Sequence, residues 1–289
     1  MAKVSSSTRV LGLIGNPVED SLSPELQNWA IDRLGLDYRY FAFPVKRDGL
    51  KRAIVGAKEL GVKGLNVTVP HKKAAGELVD RLSRSATIVG AVNTIIFHEN
   101  GSLKGDNTDW KGFVESLELD GFDPKGKNCL VFGAGGAASG VVFGLARSGV
   151  ESIVIVNRTE AKGVDIAKNM RGLSPGVDMA VRPLSGSDIG KKVERADLVV
   201  NATSVGMGAT AGDAIWEKKE NFHSGQLVYD LVYNPSPTRF LELAGGAGAK
   251  TLDGLDMLIL QGLESLKKWT GEEFESGEMV GELRRYLRQ

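Results

Sequence analysis

The stretch from Asn128 to Gly140 constrains the fold more than any other part of the chain. Asn128-Cys129-Leu130-Val131-Phe132 is an apolar run of strand length, followed at once by Gly133, Ala134, Gly135, Gly136, Ala137, Ala138, Ser139 and Gly140. A continuous apolar run without polar alternation is the pattern of a strand buried on both faces of a parallel sheet. The small residues after it let the backbone turn sharply into a helix, which Val141 to Ala146 continue, with its first amides open to an anion. Gly133 supplies the turn, Gly135 lets the backbone approach a pyrophosphate, and Ala138 takes the close-packing third place of a G-x-G-x-x-G/A pattern. Gly and Ala also gather in ordinary tight turns, so the pattern alone is a weak signal. Its context strengthens it, because a second apolar run from Ser152 to Val156 completes a β-α-β unit. At the end of that run stand Asn157, Arg158 and Thr159, where a site for an unphosphorylated ribose carries Asp or Glu. An arginine there suits a 2′-phosphate, while Thr159 can also be read as a plain N-cap.

Alternation of strands and helices continues on both sides of this unit. Arg9 to Ile14 reads as a strand, Tyr38 to Phe43 as an alternating strand, Leu50 to Leu60 as a helix, and Val62 to Val69 as a strand stopped by Pro70. Ala91 to Phe97 and Gly101 to Asp106 read as a hairpin-like pair, and Trp110 to Leu119 as a helix that Thr108 or Asp109 caps. Further along, Glu160 to Met170 is helical, and Val177 to Val181, Ala196 to Asn201, Leu227 to Tyr233 and Lys250 to Leu252 are strands. A helix begins at Thr238, Gly254 to Leu266 is an apolar helix, and an amphipathic helix ends the chain. Thr203 and Ser204 follow Asn201 at a strand's carboxyl end, where open parallel sheets bind ligands. Ser23 before Pro24 reads as an N-cap with a first-turn proline, whereas Ser21 has no such local duty. By composition, Lys72 and Lys73 after Pro70 and His71 read first as solvated surface.

Lys and Arg number 36 and Asp and Glu 36 in a chain of 289 residues, so no global field favours nucleic acid or a membrane surface. Any phosphate must be held locally. The single cysteine, Cys129, lies in the apolar strand, and with three scattered histidines neither a disulfide framework nor a metal cluster is expected. No leader segment, membrane span, repeat or low-complexity tract is read, and a reducing cytoplasm fits.

A dinucleotide unit needs another part of the chain to hold what it reacts with. Ser21, Ser23, Asn66, Thr68, Lys72, Asn93, Asp109 and Gln261 offer neutral hydrogen-bonding groups with one cation and one carboxylate, a set that suits a polyhydroxylated acid. Lys72 and Asp109 could handle the proton that accompanies a hydride to or from a carbonyl. Read in order, Gly15-Asn16-Pro17 with Ser21-Leu22-Ser23-Pro24, Asn66-Val67-Thr68-Val69-Pro70-His71-Lys72, Gly90-Ala91-Val92-Asn93-Thr94, Gly105 to Asp109, Gly133 to Ala137, Asn157-Arg158-Thr159, Asn201 to Met207, Asp230 to Pro235 and Gly254 to Met257 with Gln261 form a combination. Through it the chain resembles the shikimate/quinate dehydrogenase family nearly end to end.

The resemblance implies an α/β protein of two domains. One is an N-terminal α/β substrate domain, residues 1–108 with 254–289, and the other a Rossmann-type, doubly wound NADP-binding domain, residues 109–253. It implies NADP-dependent interconversion of 3-dehydroshikimate and shikimate in aromatic amino-acid biosynthesis, by a cytoplasmic monomer or homodimer without metal. Lys72 and Asp109 become the catalytic pair. Ser21 and Ser23 bind the substrate carboxylate, Asn66, Thr68, Asn93, Asp109 and Gln261 the ring hydroxyls, and Tyr233 helps at the substrate. Cofactor contacts fall to Gly133, Ala134, Gly135, Gly136, Ala137, Asn157, Arg158, Thr159, Lys162, Thr203, Ser204, Gly254 and Met257. The chain departs from the family at Asp20 and Gln27, where His is usual, and at Lys162, where a second arginine often lies over the 2′-phosphate. Quinate or an aminated analogue stays open as substrate. A non-catalytic NADP-binding sensor is the rival that retention of both Lys72 and Asp109 argues against.

Overall fold

The structure is a computed structural model and describes residues 4–288. The expected domain limits at residues 1 and 289, and part of the N-terminal segment read as free of a leader, lie outside the described residues. The chain divides into two compact units, one of Met1–Gly112 with Leu258–Gln289 and the other of Phe113–Met257.

The first unit begins with β1 (Arg9–Gly15), α1 (Ser23–Arg33), β2 (Tyr38–Pro44), α2 (Leu50–Glu59), β3 (Gly64–Val67) and α3 (Lys72–Ala75). It continues with β4 (Arg81–Leu82), α4 (Arg84–Val89), β5 (Thr94–Phe97), β6 (Leu103–Asp106) and the start of α5 (Asp109–Leu119). Its six strands form one sheet in the order β2-β1-β3-β5-β6-β4. β1 pairs parallel with β2 and β3, while β5 runs antiparallel to both β3 and β6. Sequence pattern explains the placement. β1 is buried without alternation from Leu11 to Gly15 and is internal, whereas β2 alternates buried Tyr38 and Tyr40 with exposed Phe41 and Phe43 and forms the edge. Ile14, Leu50, Ile54, Leu65, Val67 and Ile95 belong to the core on one face.

The second unit contains β7 (Asn128–Phe132), α6 (Gly136–Arg147), β8 (Ser152–Asn157), α7 (Glu160–Met170), β9 (Asp178–Pro183), α8 (Ile189–Arg195), β10 (Leu198–Asn201), β11 (Leu227–Asp230), α9 (Arg239–Gly245) and β12 (Lys250–Leu252). Its sheet has the order β12-β11-β10-β7-β8-β9, and every pairing is parallel. Counted within the unit from β7, this is the 3-2-1-4-5-6 order of a Rossmann-type sheet, with its switch point between β7 and β10. Leu130, Phe132, Val199, Val228 and Phe240 form part of its core. The chain ends in α10 (Leu255–Thr270) and α11 (Ser276–Leu287).

Local differences from the sequence reading have physical causes. The run expected to continue to Tyr233 stops as a strand at Asp230, whose carboxylate accepts the Val232 amide at 3.0 Å and takes that amide from any further ladder. Ser23 is not an N-cap. Leu22 holds that position without a side-chain bond, so Ser23 lies inside the first turn, and Ser21 has the local duty of accepting the Ser23 amide at 3.3 Å. Thr159 occupies the N-cap position of α7 but makes no capping bond, whereas Thr238 does cap α9 by accepting the Leu241 amide. α10 is apolar on one side only, and Gln261, Glu264, Ser265 and Lys268 recur along it at helical spacing.

Trp269 fixes α10 on the sheet of the first unit. Its indole Nε1 donates to the Ile95 carbonyl at 3.0 Å, and a Cβ added to Gly64 would overlap the ring. Gly64→Ala should therefore destabilise the protein by about 1–3 kcal/mol through overpacking. The check is the urea midpoint, which should fall; an unchanged midpoint would mean that α10 does not bear on β3 in this way.

Candidate active site

The strand directions of the first unit converge its polar residues on one sheet edge. β1 and β3 are parallel, with Ile14 opposite Val67, so the segments leaving their carboxyl ends carry Ser21 and Ser23, and Thr68 and Lys72. The Asn16 amide donates to the Val69 carbonyl at 2.9 Å and ties the two segments together. β5 is antiparallel to β3, so Asn93 enters at the same edge, and β6 reverses again to deliver Asp109 there. Gln261 reaches the group from α10.

Lys72 is the first residue of α3, and its entry into the helix is fixed by His71. That imidazole is buried, with Nε2 2.6 Å from the Val45 carbonyl, and the His71 amide donates to the Thr68 carbonyl. The Lys72 ammonium donates to Asp109 Oδ2 at 2.6 Å, with side chains 18% and 6% exposed. This corrects the solvated-surface reading of Lys72, while Lys73 is exposed. The other Asp109 oxygen accepts Asn93 Nδ2 at 2.8 Å, and the same amide lies 3.2 Å from Gln261 Oε1. Asn93 Oδ1 receives the Thr108 amide at 2.8 Å and the Thr94 hydroxyl at 2.9 Å. Thr108 turns its hydroxyl into this network, 3.1 Å from Ser265.

Asn66 joins from beneath. Its Oδ1 accepts the Tyr40 hydroxyl at 2.8 Å, and its Nδ2 donates to the Asn93 carbonyl and to Ser265, each at 3.1 Å. Burial pushes the Tyr40 phenol well above its usual range, so it serves as a neutral donor. Tyr40, Thr94 and Ser265 were not singled out from sequence. Only the helical spacing of Ser265 with Gln261 could have flagged it. Ser23 is buried and its hydroxyl, like that of Thr68, has no hydrogen bond to protein among the described residues. Of the departures, Asp20 is exposed, and Gln27 is buried with its Nε2 donating to the Gly262 carbonyl at 2.8 Å.

In the second unit Gly133 has φ +115°, and a Cβ there would sit 2.9 Å from the Ala202 carbonyl oxygen, so glycine is required where the loops after β7 and β10 meet. Gly135 takes the N-cap position of the twelve-residue α6 and is exposed, and a Cβ added to it would meet no atom within 4 Å. Ala134, Gly136 and Ala137 are partly exposed around it, and Ala138 is fully buried. These features fit a pyrophosphate facing open helix amides. Asn157 donates to the Thr159 carbonyl at 2.8 Å and shapes the turn on which Arg158 is exposed, and Lys162 is exposed one helical turn on. Thr203 donates to Asn201 Oδ1 at 2.7 Å, and Ser204 beside it is exposed. Tyr233, Gly254 and Met257 also belong to this unit. A Cβ on Gly254 would overlap the Leu231 carbonyl, and Met257 is buried. Among the described residues no group of three or more His, Cys, Asp or Glu could hold a metal ion, and no helix is long and apolar enough to cross a membrane.

Comparison with known proteins agrees with both units. Residues 13–95 match the family model for the shikimate dehydrogenase substrate binding domain, and residues 117–235 that for shikimate / quinate 5-dehydrogenase. The NADP(+) shikimate dehydrogenase of Methanopyrus kandleri is 45% identical over 93% of each chain. Among solved structures, shikimate 5-dehydrogenase from Listeria monocytogenes in complex with shikimate and NAD superposes with a TM-score of 0.88 at 32% identity, covering 98% of each chain. The Thermus thermophilus enzyme in complex with NADP(H) and shikimate gives 0.84 at 34% identity over 96% of this chain and 99% of that one.

The Asp230 carboxylate supports the loops of the nucleotide unit. It is fully buried and accepts Asn201 Nδ2 at 2.9 Å, the Val232 amide at 3.0 Å and the Thr238 hydroxyl at 2.6 Å. Desolvation outweighs these donors and raises its pKa to about 6, with Asp253 adding to the rise. The folded state therefore holds this proton more tightly than the unfolded chain, and stability from the group is present at low pH and lost as pH rises from about 4 through 6. Asp230→Asn removes that dependence, so the stability of the variant relative to wild type should improve by about 2–3 kcal/mol between pH 4 and 7. Urea unfolding at the two pH values measures it; a constant difference would refute the assignment.

Proposed function

The chain belongs to the shikimate dehydrogenase family, and from that premise we propose that it interconverts 3-dehydroshikimate and shikimate with NADP as redox partner. The observation that carries this reading is the 2.6 Å Lys72–Asp109 ion pair, set among Asn93 and Gln261 at one sheet edge. The first unit takes the substrate and the second the dinucleotide. The hydroxyls of Ser21, Ser23 and Thr68 can donate to acceptors on the substrate, with the two serines on its carboxylate and Thr68, Asn66, Asn93 and Gln261 toward ring hydroxyls. Tyr233 assists at the substrate. Gly133 to Ala137, Thr203, Ser204, Gly254 and Met257 surround the dinucleotide, and Asn157, Arg158, Thr159 and Lys162 face its 2′-phosphate.

When bound, NADPH supplies a hydride to the ring ketone carbon. As the carbonyl π pair moves onto oxygen, the Lys72 ammonium stabilises the growing negative charge and delivers the proton, leaving a neutral amine that regains its proton from solvent. Asp109 keeps the ammonium aimed by accepting from it and accepts from the adjacent ring hydroxyl. The reverse direction uses Lys72 as base. In this reading the protein serves aromatic amino-acid biosynthesis and works as a cytoplasmic monomer or homodimer.

Lys72→Ala should lower kcat by a factor on the order of a hundred or more with little change in KM, because the lost contact belongs chiefly to the transition state. Lys73→Ala is the control and should be nearly silent. Equal defects at both lysines would return the proton transfer to another group. Substrate and cofactor are tested together by assaying shikimate and quinate, each with NADP and NAD, through reduced nicotinamide absorbance. Shikimate with NADP should give the highest kcat/KM. In the same assay Arg158→Ala should weaken NADP by roughly ten- to a hundredfold, the equivalent of a charge-assisted phosphate bond, and leave NAD nearly unchanged. Equal losses for the two cofactors would remove Arg158 from the 2′-phosphate.

A further inference from the structure

Gln261, Glu264, Ser265 and Lys268 fall on one stripe of α10. Polar groups on a packed helix face are costly unless each is paired. Here each is paired, Gln261 with Asn93, Ser265 with Asn66, Thr94 and Thr108, and Glu264 and Lys268 with each other and with Lys111 and Asp106 on the two sides of Asp109. Lys268 Nζ lies 3.1 Å from Asp106 Oδ2 and 3.1 Å from Glu264 Oε1, and Lys111 Nζ lies 2.7 Å from Glu264 Oε2. The carboxylates are withdrawn from water, with side chains 8% and 12% exposed, so this is not an ordinary surface pair. Burial pulls the Lys268 ammonium down, but Asp106 and Glu264 outweigh it and hold it above the usual lysine range. Burial likewise pushes Asp106 up, and the Ser83 hydroxyl, Lys268 and the Asn107 amide together bring it below the usual carboxylate range.

The network leads to Asp109 by short links. Asp106 Oδ1 accepts the Asn107 amide at 2.7 Å, and Asn107 Oδ1 accepts the Asp109 amide at 3.1 Å. Lys111 lies on the other side of Asp109. Residues 106–111 are therefore tethered on both sides of the reacting carboxylate to adjacent turns of the helix that also carries Gln261. We propose that Lys268 is a positioning residue for Asp109, its ammonium bridging Asp106 and Glu264 so that α10 and the turn between β6 and α5 keep one register. Without that ammonium, the two carboxylate oxygens, no more than about 6 Å apart by their shared distance to it, repel one another. Helix and turn separate, and Asp109 shifts from the Lys72 ammonium.

The inference rests on the reading of Asp109 as part of the reacting pair, and the experiment keeps the two apart. Wild type, Lys72→Ala, Lys268→Met and Lys268→Arg are compared at equal folded concentration, below the melting point of every variant. Lys268→Met should lower kcat for shikimate oxidation by roughly ten- to a hundredfold, as a displacement of reacting groups by about an ångström does, and leave KM for NADP within about twofold. Lys268→Arg should recover most of the loss. Added salt should recover part of it in Lys268→Met, since screening weakens carboxylate repulsion and does not repair packing. If wild type fails to oxidise shikimate, or Lys72→Ala is unimpaired, the proposed function falls. If those hold and Lys268→Met matches wild type in kcat, or loses only KM, or gains nothing from arginine and salt, the positioning role is overturned.

Discussion

The polar network of the first unit is arranged around an ammonium and a carboxylate kept in contact where water is largely excluded. The Lys72–Asp109 pair is 2.6 Å long, and its two members reach each other from segments that follow different strands. Their meeting is set by register. Asn66 lies opposite Thr94 across β3 and β5, and Thr94 opposite Asp106 across β5 and β6. A slip of one residue in either ladder would turn these side chains to the other face and separate the pair. The edge position of the site is thus a consequence of strand pairing.

Withdrawing charge from water has a cost that the surroundings must offset. Removing one partner of a buried pair typically costs about 3–5 kcal/mol because the other is left uncompensated. The protein meets this cost with neutral donors. Asn93 supports one oxygen of Asp109 while Lys72 holds the other, and Asn93 is itself fixed by Thr108 and Thr94. Beneath it, Tyr40, Asn66 and Ser265 close the network without adding charge. Satisfied polar networks in low dielectric are rigid, and rigidity is what the proposed proton donor, aimed at one oxygen, requires.

Much of this was legible in the sequence because it is local. The apolar runs and glycine turns of the second unit follow from periodicity, and Gly133 is required by a positive φ that its neighbours impose. The positions of Lys72 and Asp109 were legible through motif resemblance, whereas composition alone placed Lys72 on the surface. What stayed hidden is three-dimensional. Whether Ser23 caps its helix depends on where the first turn begins, and the turn begins one residue too early. Ser265 and Lys268 sit in a helix that reads as apolar, and the partners that tie them to the sheet, Asn66 and Asp106, lie more than a hundred residues away. No local pattern announces a contact of that range.

The second unit applies the same logic with a different balance. Asp230 has three donors and still holds its proton up to about pH 6, since full burial at the ends of β10 and β11 outweighs them. Such a group is a poor source of stability at neutral pH. Its bonds nevertheless fix Asn201, which in turn holds Thr203 and the Val205 carbonyl in the loop after β10. That loop meets Gly133 at the switch point, where any side chain larger than hydrogen would collide with the Ala202 carbonyl. In both units a buried carboxylate therefore holds polar loops at the ends of strands. In the first it is compensated by a lysine as well as a neutral amide, and in the second by neutral donors alone.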